Sequence, residues 1–174
     1  IKLLKETGHN SFRTSIQWSR LIPDGVGEVN QKAVDFYNNV IDELIVNDVL
    51  PIMNLFHFDM PMCMQEKGGW ESREVVDAYA AFAKKCFELF GDRVKHWMTF
   101  NEPIVPVEGG YLYNFHYPKV KDGKRAAQVA FHTMLANAKS IKEYKELGQD
   151  GQIGIVLNLT PSYPRSTENE ADVK

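Results

Sequence analysis

The feature that most constrains the fold is a repeated alternation of short apolar runs with longer amphipathic segments. Four runs are typical of buried β-strands, and between consecutive runs apolar residues recur at helical spacing. The predicted strands are Ser11 to Ile16, Leu50 to Phe56, Val94 to Phe100 and Ile153 to Leu159. We expect each strand to be apolar on both faces, as parallel strands usually are. The alternation therefore predicts an α/β fold with a parallel sheet.

Helix-boundary residues support three helices between these strands. Asn30 is placed to cap the first helix, and Ser72 is placed to cap the second, which should end at Gly91. The third helix should run from about Gly123 to Leu147, after a long loop from Pro103 to Asp122. Long connections therefore follow the strands, at the end where α/β folds build their sites.

A missing motif favours a barrel over an open sheet. No Gly-x-Gly-x-x-Gly or Gly-Lys-Ser/Thr run follows any predicted strand. The sequence therefore lacks the motifs that would indicate a nucleotide-binding open sheet. A (β/α)8 TIM barrel usually needs about 250 residues, whereas this chain has 174. We therefore expect residues 1–174 to form one partial TIM-barrel domain of about four βα units, belonging to a longer protein.

Composition narrows the classes of partner. The formal net charge is -3 and the basic residues are scattered, which argues against a nucleic-acid partner. No apolar run reaches the length of a membrane span. Cys63 and Cys86 have no Cys-x-x-Cys spacing and no matching histidine pair. We therefore expect neither a disulfide framework nor a metal site nor a cofactor, and a cytoplasmic location.

Polar side chains stand in or just after every predicted strand. They are Arg13 in the first and the Trp18-Ser19-Arg20 run after it, His57 and Asp59 after the second, Asn101 and Glu102 at the third, and Asn158 at the fourth. Amide, imidazole and carboxylate groups suit a hydroxyl-rich ligand, and glycosidic cleavage needs a carboxylic acid beside the leaving oxygen. Pro103 should place Glu102 on the turn out of the sheet. The set predicts a sugar site in which Glu102 is the catalytic candidate.

Each of these residues also has a structural interpretation. A glutamate at such a junction most often braces a loop, a lone histidine such as His57 is more often structural, and Asp59 is as easily a loop cap. Arg13 lies within a strand, where a charge is costly unless it is paired. It should therefore have an acidic partner, either in a buried salt bridge or as a catalytic carboxylate.

The order and spacing of several short motifs resemble glycoside hydrolase family 1. The motifs are FRTSIQWSR at 12–20, NLFHFDMP at 54–61, GGW at 68–70 and TFNEP at 99–103. The resemblance covers essentially the whole chain. It implies an eight-stranded (β/α) barrel that cleaves β-glycosides with retention of configuration.

The resemblance also implies roles for individual residues. Glu102 would be the general acid/base, and Asn101 would bind the sugar 2-hydroxyl. His57 would bind other hydroxyls of the glycone, and Arg13 would sit beside the nucleophile. Asn158 is a further substrate-binding candidate on the aglycone side, where a structural role is equally open.

The chain departs from the family pattern in two respects. The family's nucleophile is the glutamate of an Ile/Val-Thr-Glu-Asn-Gly motif on the seventh strand, and these 174 residues contain no such motif. The four predicted strands resemble the family's second to fifth. In addition, Phe58 stands where ordinary β-glucosidases usually carry tryptophan, and members that act on 6-phosphorylated sugars often carry phenylalanine or another residue there.

We therefore expect part of a retaining β-glycosidase whose substrate is a β-glucoside or, by preference, a 6-phospho-β-glucoside. Without the nucleophile the chain alone should be inactive, and its open barrel edges should favour self-association. The alternative is a non-catalytic carbohydrate-binding or structural half-barrel that keeps the sugar-contacting face.

Overall fold

The computed structural model describes residues 1–173, and within them it contains one four-stranded sheet with helices packed against it. The strands are β1 (Ser11–Ser15), β2 (Leu50–Asn54), β3 (His96–Asn101) and β4 (Gln152–Val156). The helices are α1 (Lys2–Glu6), α2 (Trp18–Leu21), α3 (Gln31–Val46), α4 (Met62–Glu66), α5 (Arg73–Phe90), α6 (Ile104–Tyr111), α7 (Gly123–Glu146) and α8 (Glu170–Val173), with one 3-10 turn at Gly69–Glu71.

The sheet has the strand order of a barrel. Its four strands pair in parallel in the order of the chain, β1-β2-β3-β4. A doubly wound sheet would reverse its strand order at a switch point, whereas successive βα units in a barrel do not. The predicted α/β fold, a partial (β/α) barrel, is confirmed.

The two faces of the strands are buried to different extents. In β2, Pro51 and Met53 are buried on one face, whereas Ile52 on the other face is only half-buried. No residue of β1 is buried, and Arg13 within it is exposed. The helices of residues 1–173 therefore cover one face of the sheet more completely than the other.

The predicted C-terminal ends of the four strands are wrong by one to three residues, whereas β1 and β2 begin where predicted. The largest error is at β4, which ends at Val156 rather than at Leu159. Leu157 and Leu159 lie beyond the strand and are exposed. An apolar run that continues past the last ladder hydrogen bond cannot be distinguished from strand by composition.

The predicted long loop at 103–122 is wrong in its first half, which forms α6. Pro103 occupies the position before the first helical residue, where its fixed φ and missing N–H do no harm. The pair Gly109 and Gly110 does not mark a turn. A Cβ on Gly110 would lie 3.0 Å from the carbonyl oxygen of Tyr117, so these glycines allow the following loop to pack closely on α6.

The other helix boundaries agree with the prediction. Asn30 Oδ1 accepts a hydrogen bond from the Lys32 N–H (3.2 Å), and α5 follows Ser72 and ends before Gly91. Ser72 occupies the N-cap position, although its side chain does not hydrogen-bond to the helix. The cap of α7 is Asp122, whose Oδ1 accepts from the first-turn N–H groups at 2.9 and 3.1 Å.

An aromatic core lies between the sheet and α5. Eight apolar residues recur at helical spacing along this helix, and all of them are buried: Val75, Val76, Tyr79, Phe82, Ala83, Cys86, Phe87 and Phe90. Trp18 from α2 packs against Tyr79 and Phe82 with ring centroids 5.6 and 5.5 Å apart. Phe100 of β3 lies 4.9 Å from Tyr79. The core therefore fixes residues next to the C-terminal ends of β1 and β3.

Burial raises the pKa of the Cys86 thiol well above its usual range, as expected of an inert core cysteine.

Among residues 1–173, no helix combines the length and the apolar character that crossing a bilayer would require.

Candidate functional site

Asn101, the last residue of β3, is hydrogen-bonded both to a side chain of β1 and to the segment after β2. Arg13 Nη2 donates to Asn101 Oδ1 at 3.1 Å, which links β1 to the last residue of β3. The Asn101 N–H donates to the carbonyl of Phe56, just after β2, at 2.8 Å. Asn101 is only 3% exposed, so a polar side chain is held in place where three strands end.

The prediction that Arg13 has an acidic partner stays a prediction, because the nucleophile motif beside which the resemblance places it does not occur in these 174 residues. Within residues 1–173 its guanidinium forms no ion pair, and its hydrogen-bond partner is the amide oxygen of Asn101. The residue is exposed, so water can satisfy its remaining donors.

Glu102 lies directly beyond β3, on the turn predicted from Pro103, and its backbone is left-handed (φ 45°). Its N–H donates to the Val156 carbonyl at 2.9 Å, and its own carbonyl accepts from the Val105 N–H at 2.9 Å. The residue is thereby fixed between β4 and the start of α6. A left-handed conformation costs a residue with a Cβ about 1 kcal/mol or more, so the surrounding structure must stabilise it.

Asn158 lies two residues beyond β4 and reaches the same glutamate. Its Nδ2 donates to Glu102 Oε2 at 3.4 Å, a long hydrogen bond between exposed groups. Asn158 also lines an apolar cavity of about 410 Å³ together with Pro103 and Ile104. The structure therefore brings together Glu102 and Asn158, as it brings together Arg13 and Asn101.

The loop after β2 carries the remaining candidates. His57 is exposed, and its ring meets the ring of Phe58 edge-on at 5.2 Å. Phe58 has a left-handed backbone (φ 73°) and also packs edge-on against His116, at 5.6 Å. Asp59 Oδ2 accepts a hydrogen bond from the Trp18 N–H at 3.1 Å.

A cavity of about 700 Å³ brings Arg13, His57 and Asp59 to one surface. Burial raises the pKa of the Asp59 carboxyl above its ordinary value, although hydrogen bonds from backbone N–H groups and the nearby His57 oppose this shift. Glu102 does not line this cavity, and it is joined to the other candidates through its chain neighbour Asn101.

Sequence reasoning did not single out four polar residues of this cavity, namely Thr14, Ser15, Gln17 and Tyr37. Arg20, which follows the first strand, lines the cavity as well. The Gln17 N–H donates to the Tyr37 hydroxyl oxygen at 2.8 Å. Tyr37 belongs to the apolar stripe of α3, and its hydroxyl gives no signal in the helical pattern. Within residues 1–173, no three His, Cys, Asp or Glu side chains are grouped closely enough to hold a metal ion.

Comparison with known proteins identifies the family. The model of glycosyl hydrolase family 1 matches residues 1–174. The chain belongs to this family. It is 68% identical to the 6-phospho-beta-glucosidase GmuD of Bacillus subtilis (strain 168), a match that covers 100% of this chain and 37% of GmuD. It is 44% identical to a 6-phospho-beta-galactosidase of Clostridium acetobutylicum, covering 98% of this chain and 36% of that protein.

A solved structure supports the same fold. The family 1 β-glucosidase from Thermotoga maritima superposes with a TM-score of 0.93 at 41% sequence identity, over 99% of this chain and 38% of that chain. The chain thus spans less than two fifths of the length of these three family members.

The left-handed backbone of Glu102 yields a stability prediction. In the protein that carries this chain, Glu102→Gly should be more stable than Glu102→Ala by about 1 kcal/mol, because only glycine adopts this conformation without strain. At Glu108, in the middle of α6, the order should reverse by about 1 kcal/mol. Urea denaturation of the four variants measures both differences. The same order at both positions would contradict a strained Glu102.

Proposed function

We propose that this chain is part of a longer retaining β-glycosidase that hydrolyses 6-phospho-β-glucosides, with Glu102 as the general acid/base. The observation that carries the proposal is the position of Glu102. Its backbone is fixed between β4 and α6, directly beside an asparagine amide that Arg13 holds in place. A carboxyl group next to an oriented amide at the C-terminal ends of barrel strands suits cleavage of a glycosidic bond.

The two oxygens of Glu102 are in different environments. Oε2 accepts the hydrogen bond from Asn158 Nδ2, whereas Oε1 accepts none from residues 1–173. Oε1 is therefore the oxygen we assign to proton transfer. In a retaining reaction the carboxylic acid first protonates the leaving oxygen, and the carboxylate then takes a proton from the water that releases the sugar.

The amide of Asn101 has a defined orientation. Arginine is a donor only, so the atom that accepts from Arg13 at 3.1 Å is the amide oxygen, which leaves Nδ2 as the donor to a ligand. We propose that Nδ2 binds the sugar 2-hydroxyl. His57, exposed at the adjacent strand end, would bind other glycone hydroxyls, and Asn158 would contribute on the aglycone side.

A longer polypeptide is needed to supply the nucleophile. No Ile/Val-Thr-Glu-Asn-Gly motif occurs in these 174 residues, and retention requires a second carboxylate about 5 Å from the acid/base. The 37% coverage of GmuD supports the same view. We also propose a cytoplasmic location, which the free thiols of Cys63 and Cys86 support.

The acid/base role is tested by Glu102→Gln in the full-length protein. This variant should lose at least about 100-fold in kcat/KM on a substrate with a poor leaving group, such as a 6-phospho-cellobioside, because departure then needs a proton. It should lose far less on the 2,4-dinitrophenyl glycoside. Glu108→Gln, in the middle of α6, serves as the control and should leave both rates unchanged. Equal losses on both substrates would contradict the assignment.

The preference for a 6-phosphate is supported by 68% identity to GmuD and by Phe58 at the position after His57. The full-length protein should therefore hydrolyse 4-nitrophenyl 6-phospho-β-glucoside with a kcat/KM at least about 100-fold above that of the unphosphorylated glucoside. The matching galactosides serve as the comparison for glycone choice. A preference for the unphosphorylated glucoside would overturn this part of the proposal while leaving the role of Glu102 intact.

The isolated 174-residue chain should show no hydrolysis, because it lacks the nucleophile that the retaining reaction needs. Within residues 1–173, β1 and β4 each have an edge without a partner strand, so the isolated chain should also self-associate. Activity assays and sedimentation velocity on the purified chain measure the two properties. Turnover comparable to that of the full-length protein would show that the nucleophile lies within these residues.

A further inference from the structure

The hydrogen bond between Asp59 and Trp18 ties together two loops at the C-terminal end of the sheet. Asp59 lies in the loop after β2, and Trp18 is the first residue of α2, after β1. Asp59 Oδ2 accepts from the Trp18 N–H at 3.1 Å. This is a direct side-chain link between the loop that carries His57 and the segment that follows Arg13.

Trp18 is a rigid anchor for this link. It is 0% exposed, and its indole Nε1 donates to the Gly25 carbonyl at 3.1 Å. Its ring packs between Tyr79 and Phe82 of α5. A buried indole with a satisfied N–H and two aromatic contacts has little freedom to move, so a group bonded to its backbone is positioned by the core.

Asp59, the other partner in this hydrogen bond, lies two residues after His57 in the same loop. Only Phe58 separates His57 from Asp59, and Phe58 is held in a left-handed conformation (φ 73°). This conformation is strained for an aromatic residue, so it persists only where its surroundings enforce it. Asp59, on one side of Phe58, supplies an anchor to the core, while the exposed His57 ring stands on the other side.

We propose that Asp59 is a positioning residue that holds the His57 imidazole toward the sugar by fastening its loop to the backbone of Trp18. The inference rests on the proposed function, in which His57 binds hydroxyls of the glycone. Asp59 and His57 line the same cavity of about 700 Å³, so the anchored carboxyl group and the imidazole belong to one surface. Asp59 does not itself need to touch the substrate.

The test is a double-mutant cycle on the full-length protein with 4-nitrophenyl 6-phospho-β-glucoside. Asp59→Ala should lower kcat/KM about tenfold in the wild-type background but less than about twofold in the His57→Ala background, since its effect passes through His57. Asp59→Asn keeps an oxygen that can accept from the Trp18 N–H. The asparagine variant should retain at least half of the wild-type kcat/KM. This result is informative even if the alanine variant fails to fold.

Asp122→Ala is the matched control, since it also removes hydrogen bonds from an aspartate to backbone N–H groups, but at the start of α7. It should lower the thermal midpoint and leave kcat/KM unchanged. Losses that add independently for Asp59→Ala and His57→Ala, or an Asp59→Asn variant as impaired as Asp59→Ala, would overturn the role of Asp59. A wild-type protein without activity on any β-glycoside would instead overturn the proposed function and this inference with it.

Discussion

The hydrogen bond from Arg13 to Asn101 is the interaction on which the rest of the site depends. It joins Arg13, in the middle of β1, to the last residue of β3, and so couples two strands that β2 separates. It also fixes which end of the Asn101 amide is free to donate. Because Glu102 follows Asn101 directly, any shift of this amide would move the carboxyl group that we assign to proton transfer.

Local strain accompanies this arrangement. Glu102 and Phe58 both have left-handed backbones, and both lie where a strand gives way to a loop that faces the site. Such conformations persist when the neighbouring structure leaves no alternative. At Phe58 that structure includes the ring of Phe56, which itself contacts Tyr79 and Phe100 of the aromatic core. At Glu102 it includes the backbone hydrogen bonds with Val156 and Val105.

The alternation of apolar runs and helical stripes was sufficient to predict the α/β fold, because the buried face of α5 shows its full periodicity in the sequence. Residues whose surroundings depend on long-range contacts were harder to predict. The hydrogen bond from Arg13 to the Asn101 amide joins residues 88 positions apart and has no signal in the local pattern. The helical pattern predicts Tyr37 as a core residue, and only the folded structure shows that its hydroxyl accepts a hydrogen bond from the Gln17 N–H. The helix α6 was missed because its proline and two glycines resemble loop signals.

The proton-transfer role of Glu102 is tested best by a crystal structure of the full-length Glu102→Gln protein with an uncleaved 6-phospho-β-glucoside. The glycosidic oxygen should lie within about 3.2 Å of the residue 102 side chain, the distance of a hydrogen bond. The 2-hydroxyl should lie on Asn101 Nδ2, with Arg13 still bonded to the amide oxygen. A sugar bound with its glycosidic oxygen away from residue 102 would contradict this role.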